Sequence, residues 1–125
     1  MKLQPDQFNA PFISAYESGW IAVNGEKYTG ALIVSSENGC SPWSAQSFDA
    51  LDASHFVELI ASRPELIVFG SGPKLRFPRP VWLAPLMQLG IGVETMDTAS
   101  ACRTYNILAS EGRRVIAALL PTDLA

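Results

Sequence analysis

Apolar residues near the start of the chain follow the pattern of two strands joined by a tight turn. The run WIAV at 20–23 is followed by Asn24 and Gly25 and then by EKY at 26–28. Asn-Gly tolerates the positive φ angles of a type I′ turn, so the pattern predicts a β-hairpin. A further apolar strand is predicted at 31–34. The segment 35–47, which is rich in serine and glycine, is predicted to be a loop.

The middle of the chain alternates helix and strand signals. Asp52 is predicted to cap a helix that runs to about Ala61 and ends before Pro64. The continuous apolar run LIVF at 66–69 is typical of a strand buried on both faces. A short apolar helix is predicted within 81–89, and it either starts at Pro80 or restarts at Pro85, because an internal proline removes one helical hydrogen bond.

The stretch from Gly90 to Pro121 packs strand, helix and strand into a short length of sequence. A strand is predicted at 91–94, and Asp97 or Thr98 is predicted to cap a helix that runs to about Ser110. Gly112 supplies the left-handed residue that ends such a helix, and the apolar run at 115–120 predicts a last strand.

This order of elements indicates an α/β fold. The predicted architecture is a single three-layer domain, residues 1–125, around a mixed sheet, with an N-terminal β-hairpin region and two strand-helix-strand crossovers in the second half. The length allows a hydrophobic core without metal or disulfide crosslinks.

Composition and charge narrow the class of partner. A net charge of −3 argues against general nucleic-acid binding, and no apolar run approaches the length that membrane insertion requires. Cys40 and Cys102 have unrelated spacing and the N-terminus lacks a signal-peptide pattern, so we expect reduced thiols and a cytoplasmic location. His55 is the only histidine, so neither a metal site nor a serine–histidine–aspartate arrangement is expected, and no cofactor motif is present.

Residues that follow the predicted strands at 66–69 and 91–94 form the candidate ligand or partner site. Open α/β sheets place ligands at the carboxyl ends of their strands. The candidate residues are Gly70, Ser71, Gly72, Lys74, Arg76, Asp97, Thr98 and Arg103. Pro73 removes one backbone N–H and the spacing is not that of a phosphate loop. A nucleotide site is therefore disfavoured, although a small anion or a partner carboxylate beside the basic side chains remains open.

The helix predicted at 99–110 has an apolar face and a polar face. Cys102 and Tyr105 share the apolar face, which predicts a buried thiol and a core aromatic instead of catalytic groups. Ile107 falls on the polar side, where it either is incidental or marks a protein contact. Arg113 and Arg114 follow the far end of the helix, and ion pairing with Glu111 or a docking surface is expected of them.

Several motifs together resemble a known family. They are GSG at 70–72, GIGVE at 90–94, MDT at 96–98, ACRTYN at 101–106 and EGRRV at 111–115. In this order they are similar to the Mth-type domain family of small proteins, which includes adipogenesis-associated Mth domain proteins and an assembly factor of mitochondrial respiratory complex I. The resemblance implies a three-layer α/β fold and no established catalytic residues.

Two functional hypotheses remain. The first, which the resemblance favours, is a non-enzymatic protein-interaction or assembly-factor domain linked to assembly of a respiratory complex. The second is a small-molecule or anion-binding domain, or an enzyme, with its site at the strand ends near Gly70 and Asp97.

Overall fold

A computed structural model describes residues 10–122 of the chain. The strands are, in chain order, β1 (Ile13–Glu17), β2 (Trp20–Val23), β3 (Glu26–Tyr28), β4 (Leu32–Ser35), β5 (Gly39–Pro42), β6 (Leu66–Gly70), β7 (Gly92–Met96) and β8 (Val115–Leu119). The α-helices are α1 (Ala53–Val57), α2 (Pro80–Gln88) and α3 (Thr98–Ser110), and short 3-10 helices cover Phe48–Ala50 and Glu58–Ser62.

Two sheets form. The strands β1, β2 and β3 make a small antiparallel sheet, and the other five make a mixed sheet in the order β5-β4-β8-β6-β7. In the mixed sheet β6 pairs in parallel with both β7 and β8, while β4 is antiparallel to β5 and β8. The predicted mixed sheet and both crossovers, through α2 and α3, are confirmed.

The burial of the central strands of the mixed sheet explains the three-layer arrangement. Every residue of β8 is buried, because both faces of the sheet are covered. Successive side chains alternate between faces, so Val68 and Ala117 pack in a core with α3 and the small sheet. Phe69 and Ala118 point to the other face and pack in a second core with α1 and α2. The three-layer α/β prediction is therefore confirmed.

The hairpin turn is as predicted. Asn24 and Gly25 have φ angles of 51° and 87°, which a type I′ turn requires at both central positions. The turn joins β2 to β3 in register, with Val23 opposite Glu26.

The segment predicted as a loop at 35–47 is different: it contains β5, which pairs with β4 along the edge of the sheet. No alternating apolar pattern marks this strand, because its sequence is Gly-Cys-Ser-Pro. Its register is set by the turn instead, where the Ser35 hydroxyl accepts hydrogen bonds from the N–H groups of Glu37 and Asn38. Gly39 follows with a φ of 84°.

Two helices differ in detail from the sequence pattern. Asp52 caps α1 as predicted, but the helix changes to 3-10 geometry after Val57 and ends at Arg63, whose φ is 50°. The helix α2 starts at Pro80 and continues through Pro85 without restarting. Proline at the first turn is tolerated because that N–H has no helical partner, whereas Pro85 leaves one hydrogen bond of the helix unmade.

Candidate functional site

The carboxyl ends of β6 and β8 are joined by the side chain of Thr98, the first residue of α3. Its hydroxyl accepts a hydrogen bond from the Gly72 N–H at 2.9 Å and donates one to the Leu120 carbonyl at 2.8 Å. The Thr98 N–H in turn donates to the Gly72 carbonyl. Thr98 is fully buried, so its hydroxyl ties these strand ends to each other inside the protein.

Gly70 allows this close approach. A Cβ atom at position 70 would lie 2.9 Å from the Thr98 hydroxyl oxygen and 3.0 Å from the Thr98 Cα. Such contacts are shorter than carbon normally tolerates, and the backbone at Thr98 cannot move without breaking the hydrogen bonds above. Glycine is therefore required here by packing, and not by contact with a ligand.

We predict that Gly70→Ala lowers the free energy of unfolding by about 1.5 kcal/mol, a typical cost of forcing extra volume into a packed core. Urea denaturation checks this, with Gly92→Ala as the matched control. A Cβ at position 92 would meet only the Leu66 side chain, at 3.3 Å. Equal stability of Gly70→Ala and the native chain would contradict the proposed packing role.

The turn after β6 is organised by Ser71, which is buried. The Ser71 hydroxyl donates to the Lys74 carbonyl at 2.7 Å and accepts from the Arg76 N–H at 3.0 Å. The backbone N–H groups of Ser71 and Gly72 also donate within the protein, to the Met96 carbonyl and to Thr98. An anion at this turn would thus depend on side chains, since these N–H groups are already used.

The two basic residues of the turn, Lys74 and Arg76, line one small cavity but differ in their contacts. Arg76 bonds to the Asp49 carboxylate at 3.1 Å and lies 4.1 Å from the centroid of the Phe48 ring. It lines a cavity of about 10 Å³, which has room for no more than a single water molecule. Lys74 lies beside the same cavity and is exposed.

Asp97 faces a different space. Its carboxylate accepts from the Ser100 N–H at 2.8 Å, so it is the N-cap of α3, one of the two caps that the sequence allowed. It lines an open groove of about 380 Å³ together with Tyr16 and Glu17, among other residues. The groove lining carries two carboxylates and no basic side chain, which makes it unsuited to an anion.

Arg103 and its neighbours attach α3 to the small sheet. The guanidinium of Arg103 donates to the Tyr16 hydroxyl, on β1. Asn106 makes two hydrogen bonds to one residue, accepting from the Ile13 N–H and donating to the Ile13 carbonyl, both at 2.9 Å. The Tyr105 hydroxyl donates to the Pro11 carbonyl at 2.8 Å. The motif at 103–106 is therefore a clamp between two layers of the fold.

Burial removes the reactivity of the two remaining groups on α3 that have catalytic potential. The side chain of Cys102 is fully buried, and desolvation raises the pKa of its thiol to about 12. Burial also raises the pKa of the Tyr105 hydroxyl well above its usual value. Both residues are core components, as the helix pattern predicted.

The candidate residues therefore do not line one common pocket. The structure brings together Gly70, Gly72 and Thr98 in a buried junction, while the small cavity beside Arg76 and the groove beside Asp97 are two spaces that both border Gly72 and Pro73. Within residues 10–122 no three histidine, cysteine or acidic residues are grouped so as to hold a metal ion. His55 instead bonds through Nδ1 to the Asp52 N–H and completes the cap of α1.

An exposed apolar surface lies on and before α2, and the sequence patterns above do not single it out. Five large apolar side chains are exposed between the turn after β6 and the start of β7. They are Leu75, Phe77, Val81, Met87 and Leu89, which are 51% to 70% exposed. No charged residue occurs between Arg79 and Glu94. We call these five residues the α2 surface. The signal in the sequence was a helix that is apolar on all sides, which indicates burial either in the core or against a partner.

A groove opens at the opposite end of the parallel strands, at their amino ends. It has a volume of about 520 Å³, and Ile60, Leu89 and Ile91 form apolar parts of its lining. Arg63 and Arg114 supply its charged groups, and the lining contains no acidic residue. We call it the amino-end groove. Leu89 belongs both to this groove and to the α2 surface, so the two regions are continuous.

The arginines after α3 are placed differently from the expectation of pairing with Glu111. Arg113 bonds to the Glu65 carboxylate at 3.1 Å, and the same oxygen accepts from the Arg114 N–H. These bonds, the backbone one foremost, lower the pKa of Glu65. Glu65 precedes β6, and β6 lies beside β8, which follows Arg113 and Arg114. The arginines therefore meet Glu65, just before the neighbouring strand, instead of Glu111 of their own segment.

No helix among the described residues is long and apolar enough to cross a membrane.

Comparison with known proteins identifies the family. A family model described as "Protein of unknown function (DUF498/DUF598)" matches residues 13–120, most of the chain. The chain belongs to this family. A solution structure from Bordetella pertussis, described as a Mth938-like domain, is 31% identical and has a TM-score of 0.82, covering 98% of this chain and 93% of that one. The resemblance to the Mth-type domain family is thereby confirmed.

The names of two relatives of this chain describe a role or a location of those proteins. A Xenopus tropicalis protein named NADH dehydrogenase [ubiquinone] 1 alpha subcomplex assembly factor 3 is 33% identical, over 98% of this chain and 68% of that protein. A Francisella tularensis protein named 13 kDa major membrane protein is 30% identical, over 92% of this chain and 95% of that protein.

Proposed function

We propose that this chain is a non-enzymatic protein-binding domain that acts as an assembly factor, and that the α2 surface is where its partner binds. The observation that carries the proposal is the exposure of five large apolar side chains on α2 and beside its two ends, with no charged residue between Arg79 and Glu94. Large apolar side chains exposed close together on a small domain are typical of a protein interaction site.

The arrangement of polar groups agrees with a non-enzymatic role. Catalysis by acid–base or nucleophilic chemistry needs a reactive group with a second group within hydrogen-bond reach of it in an accessible space. Among the described residues, Cys102 is buried in the core, Thr98 is buried and donates to the Leu120 carbonyl, and Asp97 caps a helix. Their chemistry is used to hold the fold together.

The partner we propose is a subunit of a respiratory NADH dehydrogenase complex during its assembly. The support is the name of the Xenopus relative, which describes an assembly factor of that enzyme. We propose that Lys74 and Arg76 contribute to the same contact, since they flank Leu75 and precede Phe77 of the α2 surface. No nucleic acid, metal or cofactor enters the proposal.

We further propose that the chain works in the cytoplasm. The thiols of Cys40 and Cys102 form no disulfide, as expected of proteins kept in a reducing compartment. Binding to an assembling membrane complex would bring such a protein to a membrane surface, which also accommodates the name of the Francisella relative.

Affinity purification of the tagged full chain from its native cells tests the proposal. We expect an NADH dehydrogenase subunit to copurify with the native chain, and its yield to fall at least about fivefold for Val81→Ser and for Met87→Ser, because each removes apolar contact area worth roughly 1 kcal/mol or more. Both residues are exposed, at 64% and 67%, so folding stability should change little.

The matched control is Ile107→Ser on α3, where the isoleucine is 59% exposed. This variant should retain the partner. Loss of the partner with Ile107→Ser and retention with both α2 variants would contradict the proposed surface. Absence of any stoichiometric partner of the native chain would contradict the function itself.

A further inference from the structure

We propose that the amino-end groove binds an acidic residue of the partner protein, with the carboxylate held by Arg63 and Arg114 and an adjoining apolar side chain packed on the groove wall. The inference rests on the proposed protein-binding function and specifies the chemistry of the partner. The partner segment is one in which an aspartate or glutamate adjoins a large apolar residue.

Charge is the first observation behind this assignment. Within residues 10–122 the ion pairs of arginine join Asp49 to Arg76 and Glu65 to Arg113, and neither Arg63 nor Arg114 takes part in one. Both arginines are exposed and line the groove, whose lining has no acidic residue. A guanidinium group prefers a carboxylate in a geometry of two parallel hydrogen bonds, so an acidic group of a partner complements this site.

Apolar walls are the second observation. Ile60, Leu89 and Ile91 contribute to the same groove, and Leu89 is 61% exposed. A free inorganic anion would leave these side chains in water, whereas an acidic residue with an apolar neighbour covers them. The volume of about 520 Å³ accommodates more than one side chain.

The backbone of Arg63 is the third observation. Its φ of 50° is left-handed, and of the described residues other than glycine only Asn24 shares such a value. Asparagine tolerates this conformation, but a long side chain is uncommon there and glycine is the usual residue after a helix. The Arg63 carbonyl also accepts a hydrogen bond from Nε of Arg114 at 3.4 Å, which places the Arg114 guanidinium against the backbone of Arg63.

The position of the groove gives the direction of the bound segment. The groove continues the α2 surface at Leu89, so a segment lying along α2 reaches Arg63 and Arg114 at the carboxyl end of that helix. The acidic residue of the partner then fixes the register of the apolar contacts, because a charged pair is sensitive to displacement whereas apolar packing is tolerant of it.

Random short peptides displayed on phage, selected against the full chain, provide the probe. We expect enrichment of peptides that place Asp or Glu beside Leu, Ile, Phe or Met. An enriched peptide, synthesised with blocked ends, should shift the backbone amide NMR signals of residues 60–63, 89–91 and 114. Replacing its acidic residue with the corresponding amide should weaken binding about tenfold, and the difference should shrink between about 0.1 M and about 1 M salt.

Variants of the chain separate a binding role from a structural one. Arg63→Gly removes the side chain and suits the left-handed backbone, so it should melt no lower than the native chain yet bind the peptide at least about tenfold more weakly. Arg114→Gln should weaken binding to a similar degree, whereas Lys27→Gln, which makes the same charge change on β3, should not. Enrichment of uncharged or basic peptides, amide shifts elsewhere, or no enrichment would overturn the proposal.

The same variants distinguish this inference from the proposed function. If the native partner is lost with Val81→Ser but retained by Arg63→Gly and Arg114→Gln, the groove assignment is wrong and the protein-binding function stands. A concentration-dependent dimer that Arg63→Gly abolishes would make a second copy of the chain the occupant, and would also overturn the assignment.

Discussion

Replacing Thr98 with valine should lower the free energy of unfolding by about 3 kcal/mol and the melting temperature by about 10 °C. Valine has nearly the shape of threonine, so the change removes the hydroxyl without opening a cavity. The Gly72 N–H and the Leu120 carbonyl would then be left unpaired in a buried site. Each buried polar group without a partner costs about 1 to 3 kcal/mol, and two are created at once.

The destabilisation caused by Thr98→Val should also reach neighbouring hydrogen bonds. Thr98 begins α3, Gly72 follows β6 and Leu120 follows β8, so one hydroxyl joins the ends of three elements. Hydrogen exchange should therefore accelerate at the Gly72 N–H and at the Leu120 N–H, which bonds to the Gly70 carbonyl. Amides in the small sheet, far from this junction, should change only with global stability.

Thr98→Ser is the matched control for this experiment. Serine keeps the hydroxyl and loses one buried methyl group, so a loss of about 1 kcal/mol is expected. Urea denaturation of the two variants measures the difference directly. Equal destabilisation by serine and valine would show that the methyl group, and not the bridging hydroxyl, carries the effect.

The role of Thr98 illustrates what sequence patterns resolve. The start of α3, the cap at Asp97 or Thr98 and the buried strand before Gly70 all follow from local preferences, and the structure agrees with them. The bridge from Thr98 to Leu120 does not follow from local preferences, because it depends on β8 lying beside β6. Strand order is a tertiary property, and a single sequence with two crossovers permits more than one order.

The sequence does not reveal the α2 surface for a related reason. An apolar run on a short helix indicates burial, but not whether the covering surface belongs to the same domain or to a partner. Of the nine residues in α2 only Leu86 is buried, because α2 packs on the sheet through one side. The sequence does not reveal which elements cover one another, so an interaction surface and a core helix give the same pattern.

The structure explains why the stretch at 90–121 contains many polar residues. Asp97 and Thr98 secure the start of α3, Arg103 and Asn106 attach its side to β1, and Arg113 pairs with Glu65. The sequence predicted the cap at Asp97 or Thr98 and placed Arg103 in the candidate site, while the partners of these residues are known only from the structure. The residues of the family motifs therefore connect the helices and strands of the fold.

Asn106→Asp should destabilise the fold by about 2 kcal/mol at neutral pH, through the attachment of β1 to α3. The side-chain carbonyl of Asn106 accepts from the Ile13 N–H, and its amide donates to the Ile13 carbonyl. A carboxylate keeps the first bond but places a negative oxygen against the Ile13 carbonyl. Urea denaturation at about pH 7 measures the loss, with Asn38→Asp at an exposed turn position as control.

The dependence of that loss on pH separates charge repulsion from a simple loss of packing. A carboxyl group facing a carbonyl has a raised pKa in the folded state, since only its protonated form can donate the missing hydrogen bond. The folded state then binds more protons than the unfolded state, so the deficit of Asn106→Asp relative to the native chain should be smallest below the unfolded pKa of about 3.9. It should grow as the pH rises through the folded pKa. The deficit of Asn106→Leu, which cannot titrate, should be constant over the same range. A deficit of Asn106→Asp that is equally constant would contradict the two-bond clamp between Asn106 and Ile13.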